Sequence, residues 1–114
     1  MLIFRVEHNR HRLRRVEVHV CQSRLERSRG LLLRRRPAAD CAWLLPGRRI
    51  AHTIGLHYAV DVLFCDGAGK ILRIEQGLRP CRIAHERQAQ QVWQLRAGAV
   101  AQWGWQVGDL IRPC

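Results

Sequence analysis

Lysine is nearly missing from this chain: Lys70 is its sole example, against nineteen arginines in 114 residues. Acidic residues are also scarce, 9 against 20 basic ones, which leaves a formal charge of +11 and a sequence pI near 11.3. None of the five cysteines (Cys21, Cys41, Cys65, Cys81, Cys114) forms a C-x-x-C pair. Zinc knuckles and thioredoxin-like sites need two thiols about one turn apart, so both are excluded. No apolar stretch approaches the roughly eighteen residues of a membrane-spanning helix. The apolar run at the N-terminus breaks after three residues at Arg5, too few for a signal-peptide core. A Gly-rich phosphate loop set between strand and helix is missing too, which disfavours dinucleotide-binding and P-loop folds. These absences lead us to expect a cytoplasmic protein with reduced, partly buried thiols and no membrane span.

What remains is ordinary globular composition, 47% apolar and 25% charged, in a length that makes one domain with one modest core. The positive charge is uneven. Residues 1–57 carry thirteen bases and four acids, residues 58–114 seven and five. Arginine donates paired hydrogen bonds to phosphate and carboxylate, which makes nucleic acid a possible partner. Nucleic acid is not favoured, because a binding footprint clusters on one element and these arginines are scattered along the chain.

Periodicity predicts mostly strands. Residues 1–15 read as a basic N-terminal segment, a frayed arm or solvated strand edge, ahead of a single domain over 16–114. From Val16 the alternation of Val16, Val18 and Val20 with Glu17 and His19 predicts a half-buried strand. Ser23-Arg-Leu-Glu26 has the form of a capping box, and Gly30 can stop the short helix it starts. Cys41–Leu45 reads as a buried strand ended by Pro46-Gly47. Tyr58–Cys65 and Lys70–Gln76, joined by Asp66-Gly-Ala-Gly69, read as a hairpin. Gln91–Arg96 follows as a strand, Ala97–Trp103 as a second short helix stopped by Gly104, and Leu110–Arg112 as a last strand. The expected fold is mainly β (α+β): compact antiparallel sheets or a barrel-like sandwich with two short helices.

Five groups of residues carry a family resemblance. Arg29-Gly-Leu-Leu-Leu-Arg34, His52-Thr-Ile-Gly-Leu56, Val60-Asp-Val-Leu-Phe-Cys-Asp66, Leu78-Arg-Pro80, and Ala97-Gly98 with Gly104 and Gly108-Asp109 fall in an order that resembles the DUF192 family of small bacterial proteins. The resemblance runs from about Val18 to the C-terminus. It implies a compact, mainly β fold and no established activity. Many relatives carry an export signal or lipoprotein leader. The family pattern usually has glutamate where this chain has Gln94, and methionine where it has Leu56.

The densest polar stretch inside apolar sequence, Arg49–Asp66, contains His52, Thr53 and Asp61. With Arg29 they are the polar members of the motifs and the candidate ligand-binding set. In one reading they share a hollow, with Arg29 on an anion, His52 as base or donor and Asp61 as orienting group. In the other, Arg29 and Asp61 form a buried ion pair that seats the first helix and His52 caps a turn. Among the thiols, Cys81 lies between Arg79 and Arg82, the most electropositive setting, and is the nucleophile candidate. Cys65 adjoins Asp66, which works against ionisation. His52 and His57, five apart on a strand, point to opposite faces, and no metal site or cofactor is expected. Trp93 reads as core and Trp105 as a surface aromatic.

The expected function is a non-enzymatic binding or accessory domain whose polar pocket holds a small anionic ligand or a protein partner's side chain. The alternatives are a small hydrolase-like enzyme using His52 with Asp61, and a basic nucleic-acid binder.

Overall fold

Strand β6 (Val60–Cys65) has every residue buried, and the rest of the molecule is arranged in layers on its two faces. The computed structural model describes residues 5–8, 12–15, 17–20 and 41–113. Its elements in chain order are β1 (Arg5–His8), β2 (Arg12–Arg15), β3 (Glu17–Val20), β4 (Cys41–Pro46), β5 (Ile50–His52), β6, β7 (Ile71–Leu78), β8 (Ile83–His85), β9 (Gln91–Arg96), helix α1 (Ala99–Trp103) and β10 (Ile111–Pro113).

The central sheet has the order β3-β4-β9-β6-β7. Successive side chains of a strand face opposite ways, so the sequence of β6 sorts itself onto two cores. Leu63 and Cys65 join Ala42, Leu44, Trp93 and Leu95 on the face covered by α1 and Ile111. Val60, Val62 and Phe64 join Leu45 and Val92 on the other face, covered by Ala51, Leu56, Ala84 and Ala89. A strand buried on both sides reads as a nearly unbroken apolar run, which is why only Asp61 interrupts it.

The β6–β7 hairpin turns on Asp66, whose Oδ1 accepts hydrogen bonds from the N–H groups of Ala68 and Lys70, both at 2.9 Å. The expected hairpin is therefore present. Strand β7 carries two irregularities against β6, one of them opposite Asp61.

Several expectations are corrected. The sheets are mainly antiparallel, but β3 pairs parallel to β4. Parallel neighbours need a long crossover, and residues 21–40 between these strands supply the length. The sheets do not close into a barrel: a three-stranded sheet β10-β1-β2 and a two-stranded ribbon β5-β8 stand apart from the central one. The basic segment before residue 16, for which a frayed arm and a strand edge were both open, contributes β1 and β2, with β1 pairing to β10 and β2 at the sheet edge. One helix, α1, is described; the helix expected after Ser23 lies outside the described residues. Trp105, expected at the surface, is 3% exposed and meets Trp103 edge-on with ring centres 4.8 Å apart. A chain reversal at Gly104, whose φ of 71° suits glycine, folds Trp105 back over the helix. Trp93 is fully buried, as its apolar neighbours implied.

Candidate functional site

Asp61 is 1% exposed, and its carboxylate is spent on the backbone. Oδ1 accepts the N–H of Gly77 at 2.8 Å; Oδ2 accepts those of Gly98 and Val100, each at 3.0 Å. Helix α1 begins at Gly98, which has no capping side chain of its own. Asp61 therefore caps from another element a helix start whose free amides would otherwise be orphaned. A carboxylate there also meets the positive end of the short helix.

Thr53 is fully buried and works in a different place. Its hydroxyl donates to the carbonyl of Arg79 and accepts the N–H of Arg82 at 2.9 Å. The hydroxyl thus sits between the two groups that close an ordinary turn, bridging residues 79–82. The Thr53 backbone adds bonds from its N–H to Arg82 O and from Cys81 N–H to its own carbonyl. Within that turn Cys81 is exposed and holds φ at 61°, a left-handed conformation that non-glycine residues rarely adopt.

His52 lies one residue past Ala51, which faces the second core, so its ring belongs to the outward side of the β5–β8 ribbon. It is half-buried, and its Nδ1 is buried without a hydrogen-bond partner. Asp61 faces the core that holds α1, on the opposite side of the central sheet. The fold therefore does not bring His52 and Asp61 together as a catalytic pair. Arg29 lies outside the described residues. Among the described residues, no three His, Cys, Asp or Glu side chains gather as a metal set.

The outward face of the ribbon is the unusual surface. Ile50 pairs with His85 and His52 with Ile83 across it, while Ala51 and Ala84 point inward. Ile50 is 48% exposed and Ile83 67%, and Ile54, in the adjoining turn, is 53% exposed. Arg49, Arg79 and Arg82 are exposed beside them in the chain. Arg73, by contrast, is committed: it donates to His85 O at 2.7 Å, pairs with Glu75 and lies over the Phe64 ring, tying β8 to β7. Where β4 ends, Gly47, Arg48, Arg49 and Ile50 line an open hollow in the surface. The Nε of Arg48 is buried and has no hydrogen-bond partner. Sequence reasoning passed over Arg48, Ile50, Ile54 and Ile83. The signal for them was two arginines abutting an isoleucine directly after a Pro-Gly turn.

Gln94 is 4% exposed with Oε1 unpartnered, in a cross-strand row with Trp43 and Val62. Beside it Trp43 stacks on His19 with ring centres 4.3 Å apart.

Burial pushes the Cys65 thiol up to about 12 from an ordinary 9.0, with the Asp66 charge adding to the effect. Cys65 is thus an inert core thiol at neutral pH. The folded state keeps the proton while the unfolded chain releases it above about pH 9, so stability falls as pH rises from there toward 12. The expected slope is up to about 1.4 kcal/mol per pH unit. Urea denaturation at a series of alkaline pH values should show this component in the wild type and lose it in Cys65→Ala; equal slopes would remove Cys65 as its source.

A profile of the DUF192 family, described as Uncharacterized ACR, matches residues 5–113. No curated protein matches the sequence. Among solved structures, a candidate transcription regulator from Sinorhizobium meliloti is 23% identical with a TM-score of 0.82, over 99% of this chain and 97% of that one. A protein of unknown function from Novosphingobium aromaticivorans is 14% identical with a TM-score of 0.83, over 96% of this chain and 84% of that one. At such identities the likeness is one of fold.

Proposed function

Since this chain belongs to the DUF192 family, which has no assigned activity, we propose its function from its surface: a non-catalytic binding domain that docks a protein partner on the outward face of the β5–β8 ribbon. The observation that carries this reading is the exposure of Ile50, Ile54 and Ile83 on and beside one small ribbon. Scattered exposed apolar residues need no explanation, but a contiguous patch with a polar rim is the pattern of an interaction site. Exposed Arg49, Arg79 and Arg82 make the rim basic, so the partner is acidic around an apolar centre. Asp61 and Thr53 support the ribbon and the helix from within, and His52 joins the docking face.

The test is a partner captured from cells, purified, and measured for affinity against wild type and Ile83→Asp. Residue 83 is exposed, so the variant should keep its thermal midpoint. Binding should weaken at least 100-fold in the variant and fall with rising salt in the wild type. Equal affinities for the two proteins would refute the docking face.

A further inference from the structure

We infer that the outer edge of β5 takes up an extended, acidic segment of a protein partner as an added strand. The inference rests on the docking reading of the β5–β8 ribbon and names how the partner is held.

The hydrogen-bond ladder of the ribbon fixes which way each backbone group points. Glu86 N–H donates to Arg49 O at 2.9 Å, and Thr53 N–H donates to Arg82 O at 2.9 Å. Between these bonds Ile50 is opposite His85, Ala51 opposite Ala84 and His52 opposite Ile83. Bonded residues alternate in an antiparallel pair, so residues 49, 51 and 53 address β8, while the N–H and C=O of Ile50 and His52 point away from it. The same alternation turns the backbone groups of Ile83 and His85 outward on the other side.

The two edges of the ribbon then differ. On the β8 side, Arg73 Nη1 donates to His85 O at 2.7 Å, so a side chain of β7 already occupies that edge. On the β5 side no strand follows, and among the described residues no group bonds to the outward N–H or C=O of Ile50 or His52. Buried backbone groups are rarely left unpaired, so four unbonded ones mark an edge that faces water. The surface agrees: Ile50 is 48% exposed, and the segment leading into it lines an open hollow. Such an edge is a template for another strand, and strand addition is a recurring mode of peptide recognition.

Charge and length set the class of segment. Arg49 is exposed at the start of β5, and Arg79 and Arg82 are exposed at its far end, where Arg82 O meets Thr53 N–H. Within residues 47–58 and 79–90 the only acid is Glu86, against Arg48, Arg49, Arg79, Arg82 and Arg87. An acidic residue at either end of the segment therefore meets positive charge, and an apolar one between them lies beside Ile50. A second copy of this chain fits less well, because two β5 strands paired antiparallel about Ala51 would carry each Arg49 to the arginine-rich end of the other. β5 is three residues long, which limits pairing to one short segment.

The probe is a capped hexapeptide of alternating glutamate and valine, titrated into isotope-labelled full-length protein. The expected result is saturable movement of the Ile50 and His52 amide signals, with slowed hydrogen exchange at both. The peptide is also made with its valine amides N-methylated and, separately, with its glutamate amides N-methylated. An added strand turns one of these sets toward β5, so one methylated peptide should bind about tenfold or more weakly than the parent and the other should not. Replacing glutamate by lysine should weaken binding by a similar factor. Ile50→Pro removes only an outward N–H and should also bind about tenfold more weakly if its thermal midpoint is kept; if the midpoint falls, the methylated peptides decide. Equal binding of the two methylated peptides, with signals moving at Ile83 instead of Ile50 and His52, would leave a docking face and overturn strand addition. No saturable binding of the parent peptide, equal binding of the lysine peptide, or a dimer in sedimentation that Ile50→Pro dissolves would overturn it too. Failure of the docking reading itself is read separately, from Ile83→Asp and the captured partner.

Discussion

Asp61→Ala should lower the free energy of unfolding by about 3–9 kcal/mol, since it orphans three backbone amides at roughly 1–3 kcal/mol each. All three donors, Gly77, Gly98 and Val100, address one buried carboxylate. Small domains have only about 5–15 kcal/mol of stability in all, so the variant should be close to unfolding at physiological temperature. Urea denaturation reads the loss. Near-ultraviolet circular dichroism gives a second readout, because the Trp103–Trp105 pair sits at the end of the helix that Asp61 caps. Asp61→Asn keeps an acceptor oxygen but turns N–H donors toward other donors, so it should lie between wild type and alanine. A loss below about 1 kcal/mol for Asp61→Ala would take the carboxylate out of its capping role.

Thr53→Val should cost about 2–4 kcal/mol although it changes almost no volume, because the lost hydroxyl leaves Arg79 O and Arg82 N–H without their bridge. Thr53→Ser keeps the hydroxyl and should cost less than about 1 kcal/mol, reflecting one methyl group. Hydrogen exchange gives the local signature: the Arg82 amide, which donates to the Thr53 hydroxyl, should lose protection in valine and keep it in serine. Equal behaviour of valine and serine would mean that the turn holds itself. Cys81 depends on the same bridge, since its left-handed backbone is one that only surrounding bonds maintain, among them its N–H to Thr53 O at 3.0 Å. Thr53 therefore acts on the exposed thiol and on the ribbon end through geometry rather than chemistry.

Particular residues show how far the sequence could be read. The hairpin of β6 and β7 was legible because Asp66-Gly-Ala-Gly69 states its own turn between two runs rich in β-branched and apolar residues. Gly104 after an apolar stretch marked the end of α1 for the same local reason. Asp61 was legible as an anomaly, a charge inside an apolar strand. Its partners were not, since two of them lie 37 and 39 residues away and are backbone amides with no side-chain signature. Trp105 was misjudged because a lone tryptophan after a glycine has the same local pattern whether it points to solvent or folds back. The parallel β3–β4 pair was missed because nothing in either strand reports which neighbour it will meet.

By itself the sequence settled the turns, most of the strand positions and a basic, mainly β composition. Each of those depends on interactions within a few residues, or on composition. The tertiary structure alone decided that Asp61 and Thr53 hold the backbone in separate places. It also decided that Ile50, Ile54 and Ile83 stay exposed and that Arg48 keeps a buried donor without a partner. Those facts depend on which distant groups arrive to satisfy a polar atom or cover an apolar one. Long-range packing sets that arrival, and no window of sequence contains it.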